Sequence, residues 1–205
     1  MQKTNRLHIA ALCASLALGF AGAASAGPAE KVATAMSSCA WQDKLVASPP
    51  SKLPEAFKVR TLQMAEGAAQ VSVVEGYRLT LAEEGKEIFA NVKVEQSEAE
   101  KFETDRDKVV ANMRYILSTS KGMETPEPLA VSFSGFEGPM INRAAFSGNT
   151  LALVALFHEK EKLILTLYLE NAPPEKRSFQ TKEEWNLMRD RLLIALTGCA
   201  AKALQ

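Results

Sequence analysis

The chain has 205 residues, 47% of them hydrophobic and 23% charged, with 24 Lys and Arg against 24 Asp and Glu. That composition belongs to a globular protein and not to a disordered one. The balanced charge and the lack of any basic block exclude nucleic acid as a partner, because neutralising phosphates takes clustered Lys and Arg in excess.

The chain opens with MQKTNRLHIAALCASLALGFAGAASAG, in which Lys3 and Arg6 precede an apolar run that ends in the small residues Ala24, Ser25 and Ala26. A basic end, a short apolar core and an A-x-A site predict a cleaved signal peptide over residues 1–26. The apolar run is too short to span a bilayer, so no transmembrane segment is expected after cleavage. Residues 27–205 are then one α+β domain of a periplasmic or secreted protein. Cys13 leaves with the signal segment, and the exported chain keeps Cys39 and Cys199 in a compartment that oxidises thiols.

From Pro28, the segment PAEKVATAMSSCAWQDKL places Val32, Met36 and Cys39 at helical spacing. SPPSKLPE follows, where Pro49, Pro50 and Pro54 forbid helix and predict an extended connector. In FKVRT, Phe57 and Val59 alternate against Lys58 and Arg60, the period of a half-buried strand with Phe57 and Val59 inward. Three more alternating runs come next: Val71/Val73, Tyr77/Leu79/Leu81 and Ile88/Ala90/Val92/Val94, with Gly85 marking the hairpin between the last two.

Ser97 with Glu100 has the spacing of a capping box, and the amphipathic run behind it carries Phe102, Val109, Met113, Ile116 and Leu117 on one side, with Gly122 after its end. The charged remainder, Glu103 to Lys108, is expected to be a solvated face. Four strand signals follow in LAVSFSGF, PMINRAAF, TLALVALF and KLILTLYLE. Leu151 to Phe157 are apolar on both alternations, which requires cover on both faces of the sheet; a helix is the rival reading, opposed by the flanking Gly148-Asn149. A second capping box, Thr181 with Glu184, announces a final helix with Trp185, Met188, Leu192, Leu196 and Cys199 on one stripe. Each cysteine thus sits on the apolar side of a terminal helix, and two packed helices would bring the sulfurs together as a Cys39–Cys199 disulfide. Two buried free thiols are the alternative.

The order, strands closing in EIFANVKVEQ, a capped helix, a meander ending in LALVALFHEKEKLILTLYLE and a closing helix, resembles the PsbP-like domains of photosynthetic and bacterial extracytoplasmic proteins. The resemblance spans about residues 55–200 and rests on element order. It implies an antiparallel central sheet flanked by helices as an α/β/α sandwich, and a non-enzymatic role in assembling a partner or holding a ligand. The cysteine-bearing N-terminal helix lies outside that pattern.

The residues support no specific catalytic group. His158 is the one histidine left after the signal segment, too few for a Ser-His-Asp triad, and one His with two bridged Cys cannot supply a zinc site. Glycine-rich phosphate loops and calcium loops are missing as well, so no cofactor or metal is expected. The stretch SGFEGPMINR is the one candidate for binding: Gly135, Gly138 and Pro139 interrupt strand-like sequence, leaving Phe136 and Met140 as surface contacts for an apolar ligand or partner, with Arg143 the nearest charge. Its competitor is a hairpin whose Phe136 folds back onto the core. The function expected is a binding or assembly module of the cell envelope that takes a protein or a small apolar ligand. A small hydrolytic enzyme using a carboxylate or His158 is the alternative.

Overall fold

The computed structural model describes residues 26–39, 45–83, 86–119, 128–143, 150–170, 174–176 and 179–205. Most of the predicted signal segment, the Gly85 turn, Gly122 and the Gly148-Asn149 pair lie outside them.

An antiparallel sheet is curled around one very long strand and carries three helices. The chain runs α1 (Pro28–Ser37), β1 (Leu45–Ala47), β2 (Ser51–Lys52), β3 (Val59–Met64), β4 (Gly67–Glu83), β5 (Lys86–Ser97), α2 (Phe102–Thr119), β6 (Leu129–Phe133), β7 (Phe136–Asn142), β8 (Thr150–His158), β9 (Leu163–Glu170) and α3 (Lys182–Ala203). The strands lie in the order β1-β4-β5-β9-β8-β7-β6, with β2 and β3 paired to further stretches of β4. The two expected runs Val71/Val73 and Tyr77/Leu79/Leu81 are therefore one strand.

A bulge explains why one strand can look like two. Val73 stands opposite Ser97 and Glu75 opposite Gln96, so β4 spends one residue more than β5 at that point. Side chains alternate faces along a strand, and an extra residue inverts the phase. Val71 and Val73 accordingly pack with Phe102, Val109 and Met113 of α2, whereas Tyr77, Leu79 and Leu81 pack on the opposite face with α1 and α3. Gly76, just past the bulge, keeps room for Leu53 of the proline-rich connector, whose amide donates to the Gly76 carbonyl at 2.8 Å.

The sheet thus has two covered faces. On the first, Ala29, Val32, Ala33 and Met36 of α1 and Trp185, Leu192, Leu193 and Leu196 of α3 close over Ala90, Val92 and Val94 of β5 and Leu163 to Leu169 of β9 in alternation. On the second, α2 packs on Leu62, Ile141, Leu153, Ala155, Phe157 and Ile164. Leu151 to Phe157 are buried without interruption, as a strand covered on both sides must be. Thr181 caps α3 as expected, its hydroxyl accepting from the Glu184 amide while the Glu184 carboxylate accepts from the Thr181 amide.

Three local expectations are corrected. The β3 phase is reversed: Phe57 and Val59 are 43% and 51% exposed, while Arg60 turns inward beside buried Leu62, because Arg60 is the ion-pair partner of buried Glu95. Ser97 does not cap α2; it is the last residue of β5, and its hydroxyl donates to Asp105 at 2.8 Å, which draws that supposedly solvated carboxylate into full burial. Cys39 lies two residues past the end of α1 and not within it.

Candidate functional site

Cys39 and Cys199 are joined as a disulfide, with 6.2 Å between their Cα atoms and 160 residues between them along the chain. The pairing follows from the packing of α1 on α3, which brings the end of one helix beside the last turns of the other. Such bonds persist in oxidising compartments. Among the described residues no helix is long and apolar enough to cross a membrane.

SGFEGPMINR forms the turn and the second strand of the β6–β7 hairpin, and the competing reading of Phe136 is the observed one. Ser134 and Gly135 take φ of 49° and 81°, the two left-handed residues of a tight turn that matches strand twist. The strand that leaves the turn points Phe136 and Met140 into the first-face core, where both are buried and offer no surface contact. Arg143 follows β7, half-buried, its amide donating to the Leu151 carbonyl at 2.9 Å. His158 ends β8 with its ring 4.8 Å from that of Phe136 and its Nδ1 accepting the Glu161 amide. Burial holds its pKa below the usual range; Glu161 opposes the shift and Lys160 adds to it. The histidine is a hairpin fastener in this setting.

What the stretch does form is a trough on the second face, on the strand phase opposite to Phe136 and Met140. It has a volume of about 680 Å3, bounded by the α2 side chains Phe102, Arg106, Val110 and Arg114 and floored by β6 and β7. Those four lie at i, i+4, i+8 and i+12, one stripe of the helix. The floor is small where it meets the stripe, with Ala130, Ser132, Gly138 and Pro139. A side chain at Gly138 would collide with the Ala155 carbonyl of β8, so the hairpin lies close against its neighbour. Arg106 pairs with Glu103, and Glu137 and Glu159 are the acids of the lining. Among the described residues β6 is the last strand of the sheet, and its sequence LAVSF holds none of the charges that usually blunt an edge.

A second concavity, about 280 Å3, opens on the same face across β4, β5 and β9, lined by Arg78, Asn91, Lys93, Thr166 and Tyr168. The register explains it. Arg78 stands opposite Lys93 and Lys93 opposite Thr166, with Asn91 opposite Tyr168 in the next row. Beside them Arg60 Nη2 lies 2.8 Å from Glu95 Oε2, in close ionic contact but without a well-directed hydrogen bond, and Lys93 reaches the other Glu95 oxygen only at 3.8 Å. Burial pushes the Lys93 ammonium pKa down; Glu95 counteracts, and Arg60 and Arg78 reinforce the fall. Burial likewise raises Tyr168, against the pull of Arg60 and with help from Glu95 and Glu170. Thr166 is 5% exposed and its hydroxyl has no hydrogen-bond partner among the described residues.

The sequence reading missed both concavities. Arg78, Asn91, Lys93 and Glu95 occupy the polar phase of alternating strands, which reads as solvent-facing. The available signal was Thr166 and Tyr168 on the same phase of the apolar run LILTLYLE, showing that this face is partly enclosed. No family model, no curated protein and no solved structure matches this chain.

Proposed function

We propose that the chain is an exported binding module of the cell envelope, non-catalytic and akin to PsbP-like domains, that takes an extended segment of a partner polypeptide along β6. The observation that carries this reading is the trough beside an uncharged edge strand. A segment added to β6 would form main-chain hydrogen bonds with its outer edge and lay alternate side chains over Ala130 and Ser132, between the α2 stripe and the β7 floor. Small floor residues allow close approach, Phe102 and Val110 supply apolar contact, and Arg106 of α2 with Glu137 of β7 would orient a mixed-charge segment. The disulfide agrees with export, and the A-x-A segment ending at Ala26 supports it from the sequence side.

The test is selection of displayed decapeptides on the wild-type protein and on an Ala130→Lys/Ser132→Lys variant. Both positions are exposed, so the variant should fold with unchanged stability. Enrichment of peptides with alternating apolar positions on the wild type, and their loss on the variant, is expected. Peptides that bind both proteins equally, or no enrichment at all, would refute the reading.

A further inference from the structure

We infer that the concavity across β4, β5 and β9 is a binding site for a small oxyanion, the carboxylate or phosphate of a low-molecular-weight ligand, gripped by Arg78 and Lys93 and receiving a hydrogen bond from Thr166. Three observations carry it, and none depends on the trough. Two cations stand directly opposite each other on neighbouring strands, an arrangement that destabilises a sheet unless an anion lies between them. Arg78 makes no ion pair among the described residues, and Lys93 has only the 3.8 Å contact with a carboxylate already engaged by Arg60. Thr166, next across the sheet from Lys93, lines the cavity, and its hydroxyl is buried with no partner among the described residues, a condition that costs free energy until a ligand supplies an acceptor.

The remaining lining fits the same chemistry. The Asn91 amide and the Tyr168 phenol are further donors in the adjoining row. A volume of about 280 Å3 sits at the lower limit of small-molecule pockets, enough for a compact acid but not for a lipid or a nucleotide. Glu95 and Glu170 lie near enough to Tyr168 to act on its charge and would disfavour a polyanion.

The experiment is an amide-resolved NMR titration of the full exported chain, disulfide intact, with sodium phosphate in one arm and sodium acetate in the other, at ionic strength matched with sodium chloride. Saturable shifts at residues 78, 91–93 and 166–168 in at least one arm are expected, and the stronger arm identifies the head group. Thr166→Val keeps the side-chain shape; it should leave the melting temperature unchanged or higher and weaken binding about tenfold, the worth of a hydrogen bond to a charged group. Lys93→Met should bring binding to the level of chloride. Absence of saturable shifts in both arms would overturn the site, as would undiminished affinity in the Thr166→Val protein.

Discussion

The two faces of the sheet are built to different standards. On the first face, α1 and α3 are tied by the disulfide and seal an apolar layer in which the buried polar groups are matched: Arg189 donates to Asn142 at 2.9 Å and to Asn186 at 2.8 Å, and the Thr197 hydroxyl donates to the Leu193 carbonyl. On the second, besides the trough, a polar concavity is lined by Arg78, Lys93 and Thr166, whose hydroxyl has no partner among the described residues, with buried Glu95 beside it. Unmet polar groups are tolerated where a ligand meets them, and stability must then come from elsewhere. The first face carries the disulfide and the matched polar groups, and the second is the one on which the proposed recognition would take place.

The largest effect that can sharpen this contrast is loss of the first-face tie. Cys39→Ser/Cys199→Ser should lower unfolding free energy by up to about 5 kcal/mol, since a closed loop of this length strongly restricts the unfolded chain. Denaturant titration with and without reductant measures it, and a change below about 1 kcal/mol would place the stability elsewhere. Next comes the charge cluster of the second face. Glu95→Ala strands Arg60 and Lys93 and should cost about 3–5 kcal/mol, whereas Arg60→Met/Glu95→Leu removes both partners of the shorter pair and should recover most of the loss. Equal destabilisation by both would mean that the ion pair itself holds β3 to the sheet. The smallest effect belongs to His158. With a folded pKa below the usual 6.5, the unfolded chain binds more protons in the window just beneath that value, so stability should fall as pH drops through it. His158→Gln should flatten this part of the stability profile, which thermal melts from pH 7.5 to 5 would reveal.

The first face was largely readable from sequence, and the second was not. Met36, Leu192 and Leu196 follow a helical period, the Thr181–Glu184 box forms as expected, and the doubly apolar run from Leu151 to Phe157 announces cover on both sides. These signals are local: each is written within a few turns or one strand. The second face depends on long-range pairings. Nothing near Arg60 reveals that Glu95 will lie beside it, so Val59 looked like the inward residue. Ser97 was claimed by β5 and then by Asp105, which no spacing rule anticipates. The bulge between Val73 and Glu75 is hidden for a different reason, because odd-numbered positions stay apolar on both sides of it while the face they address changes. In SGFEGPMINR the residues expected at the surface take the other phase: the turn at Ser134-Gly135 sends Phe136 and Met140 inward, and Glu137 and Pro139 line the trough.

The division between a sealed face and a receptive one is tested most directly by residue-resolved hydrogen exchange of the protein, alone and with a decapeptide selected on it. New protection at Leu129–Phe133, with α3 unchanged, is expected. Protection that appears instead around Leu187 and Ile194, the exposed apolar residues of α3, would contradict the division and move recognition to the first face.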